Sequence, residues 1–191
     1  MQPVSEWRDI DGTSRRGPST QDPANALFVT VGQYVVMFQW IEGLIEQSLL
    51  LLWCDTPRPN NLHRLAGMTN QQKVDALKKA FQSSPANARG RTRLDWTARF
   101  EQLTERLHTA RHRRNELLHS QYLFEFLQIG QPVLRSNRRR AGGEERFEQE
   151  HLGAAAQAAL LAELAMLGSD LSLAYSQLIH DAAAAEGSEG R

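Results

Sequence analysis

Cys54 is the single cysteine among 191 residues, so no disulfide can form within the chain, and the usage suits a reducing cytoplasm. Surplus charge of either sign is missing too: Lys+Arg and Asp+Glu number 22 each. That balance excludes a protein that coats nucleic acid without regard to sequence, because such binding needs a large positive excess. It leaves room for a local basic site. The opening stretch MQPVSEWRDIDGTSRRG has no apolar core of the signal-peptide kind. The nearest approach to a membrane span, Ala24–Ile41, lacks charge but carries Asn25, Thr30, Gln33 and Gln39, and Glu42 and Glu46 follow in the same periodic pattern. It therefore reads as a buried helix and not a span, and the chain as cytoplasmic. There is no P-loop, G-x-G-x-x-G, zinc pattern or Ser/His/Asp arrangement, and neither cofactor nor metal is expected.

The hydrophobic share of 41% is enough for a packed core. Residues 1–22 are polar and rich in Gly, Pro, Ser and Arg, and read as a flexible leader. Residues 23–186 then read as one helical domain. Its first long helix runs from Pro23 to about Trp53, with Phe28, Val31, Val35, Phe38, Ile41, Leu44, Ile45, Leu49 and Leu52 at helical spacing. Asp55–Asn61 breaks it. A second, shorter helix is expected over Asn70–Gln82, a loop over Ser83–Arg93, and a third helix from Leu94 to about Tyr122. The alternation in YLFEFLQIG and the segments on either side of Ala141-Gly142-Gly143 predict a β-hairpin at about 122–147. A final Ala/Leu-rich helix spans about Glu148–Ala185, and residues 187–191 should fray. The expected fold class is all-α, an up-and-down bundle with the hairpin inserted before the last long helix.

The third helix carries the chemistry. Trp96, Phe100, Leu103, Leu107, Ala110 and Leu117 form one apolar stripe, and at about 100° per residue Arg114 falls within it. A buried guanidinium without a partner costs several kcal/mol, so Arg114 needs an acceptor or a reason to be there. His108, His112, Asn115 and His119 occupy the adjacent stripe at spacings of four, three and four.

Arg114-Asn115-Glu116-Leu117-Leu118-His119 resembles the R-x4-H signature of HEPN domains, in which a polar residue, often Asn, follows the Arg. The setting late in a long helix of a small bundle is similar as well, and in architecture the resemblance spans roughly 24–185. The resemblance implies a HEPN-like fold and a metal-independent endoribonuclease, such as a toxin or phage-defence effector. It also implies a homodimer in which two motifs meet at a composite cleft, RNA as substrate, and an antitoxin or defence-system protein as a further partner. Arg114, Asn115 and His119 would be its catalytic residues. The chemistry suits them. Histidine moves protons near neutrality, and arginine offers a fork of donors to phosphate oxygens. An amide one turn before the histidine can orient the imidazole or bond the phosphate. Arg113 to His119 satisfies a looser spacing of the motif. The His-x-Tyr ending of HEPN toxins paired with nucleotidyltransferases is not met, since Tyr122 stands three residues after His119. A catalytically inactive HEPN-like module that binds RNA, nucleotide or a partner protein is the alternative reading.

Arg111, Arg113, Tyr122, Arg138, Arg139 and Arg140 are further candidates for RNA contact, the last three because a basic hairpin could guide RNA to the motif. Glu42 is a candidate support, as a salt-bridge partner for Arg114 or another motif arginine. His108 and His112 have metal-ligand spacing, but no Cys, Asp or Glu completes a set, and a solvated helix face is expected. Tyr122, Phe124 and Phe126 are expected to pack, and Cys54 to be buried and inert.

Overall fold

The computed structural model describes residues 21–141 and 144–189. The chain is mainly helical, with one small antiparallel sheet. The leader expected over 1–22 lies almost wholly outside the described residues. Helix α1 (Gln21–Leu52) is followed by α2 (Arg58–Ala66), α3 (Asn70–Ser83) and α4 (Leu94–His119). Strands β1 (Gln121–Leu123), β2 (Leu134–Ala141) and β3 (Glu144–His151) precede α5 (Ala154–Glu189). The described residues form two compact units, one of 21–31 with 120–157 and the other of 32–119 with 158–189.

The second unit is a helical bundle. Its core takes Phe38, Ile41, Ile45, Leu49, Val74, Leu77, Phe81, Phe100, Leu107, Leu164, Leu171 and Leu178, all buried. A capping box starts α3, with the Thr69 side chain accepting from Gln72 N–H and the Gln72 side chain accepting from Thr69 N–H. Phe81 stacks on Phe100 with ring centroids 3.8 Å apart, and Trp96 meets both edge-on. Trp40 crosses so close to Gly168 that a Cβ there would collide with its ring, which is why the smallest residue stands at that point of α5.

The other unit is the sheet with the first turns of α1 and α5. Strand order is β1-β2-β3 and both pairings are antiparallel. Its interior is Leu27, Val133, Leu134 and Leu152, and the Leu152 N–H bond to the Val133 carbonyl (2.9 Å) continues the ladder. Buried Arg135 donates to Glu150 (2.8 Å) and to Ser120 (3.0 Å). Gly130 ends a 3-10 turn over Phe124–Ile129 in the left-handed conformation, φ 73°, where a Cβ would be strained.

Several expectations are corrected. The breaker Asp55–Asn61 instead leads into α2, which Pro57 and Pro59 start rather than prevent, because proline is tolerated where the first N–H groups have no helical partner. Only Tyr122 and Leu123 of YLFEFLQIG lie in a strand, β1; Phe124–Ile129 coils into the 3-10 turn. Helix α4 stops at His119, three residues early, and α5 starts at Ala154 because Glu144–His151 is spent on β3. Helix α5 runs on to Glu189. In α1 the early phase of the buried face is Leu27, Thr30 and Tyr34, leaving Phe28 60% exposed; a helix apolar on most sides does not reveal its own phase. Cys54 is exposed in the turn after α1. Both α1 and α5 are long and apolar enough to cross a membrane, although the sequence reading singled out only the first.

Candidate functional site

The end of α4 differs from the rest of that helix in how it treats charge. Up to Ala110 its inward stripe is apolar and buried: Phe100, Leu103, Leu107, Ala110. From Arg111 onward the stripe continues with Arg111 and Arg114, both half-buried, before Leu117 restores an apolar contact. The Nε atoms of both arginines are buried and have no hydrogen-bond partner among the described residues. Arg114 Nη1 donates to the Asn115 side-chain oxygen at 3.1 Å, and its guanidinium carbon lies 5.9 Å from the centre of the Phe38 ring. Arg111 Nη2 lies 2.8 Å from His112 Nε2; a guanidinium only donates, so that ring nitrogen accepts. Both cations thus have neutral partners. Leu117 anchors the segment, while His119 is exposed as the last residue of α4.

Arg113 points to a different environment. It pairs with Glu116 at 3.3 Å and lines a groove of about 380 Å³ with Tyr34, Arg106, Glu163, Leu164 and Leu167. Its charge is met there, which separates it from Arg114 and favours the tighter spacing of the motif. Tyr34 is buried beneath this groove and donates to the Ala110 carbonyl at 3.3 Å. Burial pushes its hydroxyl up to about 12, with nearby Glu163 and Glu116 acting in the same direction and Arg113 against it.

Glu42 does not reach a motif arginine. It shares the buried Lys73 ammonium with Glu46, at 2.7 and 2.6 Å. Burial alone would lower the Lys73 pKa, but the two carboxylates outweigh it and hold it above the usual lysine value. One turn of α1 separates Glu42 from Glu46, so both point at α3, where a buried lysine is the nearest cation. The sequence held the i,i+4 pair, but Lys73 carries no local mark of burial. His108 is half-buried and meets Asp75 at 3.1 Å, in place of the solvated position expected. Among the described residues, no three His, Cys, Asp or Glu side chains converge as metal ligands.

The remaining candidates belong to the sheet unit. Tyr122 is half-buried, its ring centroid 6.4 Å from that of Phe124. Arg138 is exposed on β2 opposite Phe147. Arg139 and Arg140 pair in register with Arg146 and Glu145; their side chains lie outside the described residues. Strand β3 carries Glu144, Glu145, Glu148 and Glu150 beside the arginines of β2, so the hairpin is not a one-sign basic arm.

The carry-over of Arg114, Asn115 and His119 rests on these contacts and the motif alone: no protein-family model matches the chain, nor does a curated protein or a solved structure.

Proposed function

We propose that the chain is a metal-independent endoribonuclease of HEPN type, cytoplasmic, and acting as a homodimer with a composite site. The observation that carries the reading is the pair of half-buried guanidinium groups of Arg111 and Arg114, whose Nε donors have no acceptor and whose other contacts are neutral. A phosphate supplies what they lack, a doubly negative or singly negative oxygen cluster matched to the fork of an arginine. Asn115 keeps the Arg114 fork oriented while it waits. His119, exposed one turn further on, is accessible to substrate. In the reaction a base takes the proton of a ribose 2′-hydroxyl, the 2′-oxygen attacks the adjacent phosphorus, and the 5′-oxygen leaves with a proton from an acid. A 2′,3′-cyclic phosphate and a 5′-hydroxyl result. His119 of two copies would serve as the base and the acid, and Arg114 would neutralise the charge that grows on the phosphate oxygens. Exposed Val36 and Trp40 on α1, and Met166 and Leu173 on α5, offer apolar surface for the second copy. A toxin or phage-defence role, with an antitoxin-like protein as restraint, fits such an activity.

The test is incubation of the purified protein with RNA in EDTA, followed by analysis of the ends. Cleavage leaving cyclic phosphate, lost in His119→Ala and Arg114→Ala proteins that keep their helical signal and oligomeric state, supports the reading. Cleavage retained by a folded His119→Ala protein overturns it. An RNA-binding protein that cuts nothing but loses binding on Arg114→Ala would instead favour the inactive module, for which the same free guanidinium donors are the supporting observation.

A further inference from the structure

A second recess lies in the sheet unit, away from the arginine motif in sequence and built of different chemistry. Its volume is about 470 Å³, within the size range of small-ligand sites. Three aromatic rings line it. Phe124 tilts against Phe28, centroids 5.5 Å apart at 43°, and against Tyr122, 6.4 Å apart at 38°. The rest of its wall includes Glu125, Leu127 and Gln128, and among the described residues none that lines it is Lys, Arg or His. Phe28 leaves 60% of its surface in water, an expensive place for a phenyl ring that only fills space. Glu125, an exposed residue, lines the same recess as the three rings.

We propose that this recess binds a small organic cation of the alkylammonium class. Ring faces attract cations through their quadrupole, a carboxylate at the rim adds direct attraction, and the same carboxylate disfavours the phosphates that accompany a stacked nucleobase. A neutral apolar guest would use the rings but gain nothing from Glu125. The proposal is independent of the ribonuclease reading, since it uses no residue of the Arg114–His119 motif.

Choline is the probe, with 3,3-dimethylbutan-1-ol as its neutral isostere, adenosine monophosphate as the nucleotide competitor, and a short peptide bearing trimethyllysine. Binding to the full chain is followed by calorimetry and by shifts of the Tyr122 and Phe124 ring resonances. Saturable choline binding, with the neutral isostere about tenfold weaker, is the expected result. Phe28→Ala should weaken choline by about tenfold, and Glu125→Gln should weaken choline but not the isostere. Both positions are exposed, so the fold should survive either change, and an unchanged helical signal checks it. Tighter binding of the peptide than of choline assigns the cation to a protein side chain; equal or weaker binding assigns it to a free small molecule. Equal affinity for choline and its isostere, tighter binding of adenosine monophosphate, or no saturable choline binding overturns the proposal.

Discussion

Lys73 and Arg93 enter the helical unit as paired charges, whereas Arg111 and Arg114 enter it with no ion pair to a carboxylate among the described residues. Lys73 is clamped by Glu42 and Glu46. Arg93 binds Asp181, which is 3% exposed and is also held by Gln177. In the sheet unit Arg135 follows the same rule with Glu150. These pairings meet the requirement that a charge removed from water be compensated where it sits. Arg111 and Arg114 are given an imidazole, an amide oxygen and a phenyl ring. The difference separates cations that the fold uses for itself from cations it keeps available. A guanidinium already committed to a carboxylate is a poor phosphate receptor; one held in place by neutral groups retains its charge for a ligand.

The comparison breaks most visibly in activity. Under the proposed ribonuclease reading, Arg114→Ala and His119→Ala should each lower RNA cleavage by about 100-fold or more, measured as initial rates in EDTA. Arg93→Ala should leave the rate of the remaining folded protein unchanged. Equal losses for Arg93 and Arg114 would erase the distinction.

Stability should show the reverse order. Asp181→Ala strands Arg93 and should cost about 2–3 kcal/mol in urea unfolding, below the range of about 3–5 kcal/mol for broken buried pairs because Arg93 keeps some solvent contact. A loss under about 0.5 kcal/mol, the scale of an ordinary surface change, would mean that the clasp is not structural.

Tyr34 extends the contrast to a neutral buried donor. Its hydroxyl is raised from 10.0 to about 12 in the fold, so the folded state holds this proton more tightly than the unfolded chain. The contribution is fully present below pH 10 and is lost as pH climbs through about 12. Over that window the wild type should lose about 2 kcal/mol that Tyr34→Phe does not lose. Lys73, also raised, adds alkaline sensitivity of the same sign in both proteins. Parallel stability–pH curves for wild type and Tyr34→Phe would contradict the burial argument.

The smallest effect is the most pointed. Arg114→Leu removes a half-buried charge that has no ionic partner among the described residues, and should change stability by less than about 1 kcal/mol, with stabilisation the expected sign. A loss of about 2 kcal/mol or more would place Arg114 with the structural cations.

Much of the bundle was legible in the sequence because its causes are local. The a/d-like recurrence of Phe100, Leu103, Leu107 and Leu117 needs only the 3.6-residue turn to place them on one face, and all four are buried. The start of α3 at Asn70 was also legible, and the structure adds the local cause, a capping box of Thr69 and Gln72. Helix α2 was missed because it is only nine residues long and opens on a proline-rich stretch that reads as a break. Strand β1 was anticipated by the alternation that begins at Tyr122, but its 3-10 continuation over Phe124–Ile129 was read as strand, because alternating apolar residues over so short a stretch also suit a tight coil. Of the candidate site, Arg114 was legible as a charge in an apolar stripe, and Asn115 as its neighbour. That Arg113 is taken by Glu116 while Arg114 is left with Asn115 and Phe38 was not.

By itself the sequence determined the long helices, the position of the hairpin and the anomaly of an arginine among leucines, since each follows from spacing along one segment. Only tertiary structure decided which acids meet which cations. Glu42 met Lys73 on α3, 31 residues away, and Asp181 met Arg93 across 88 residues. Electrostatic pairing acts through space at a few ångströms, and a linear pattern carries no record of which distant groups the packing will bring that close.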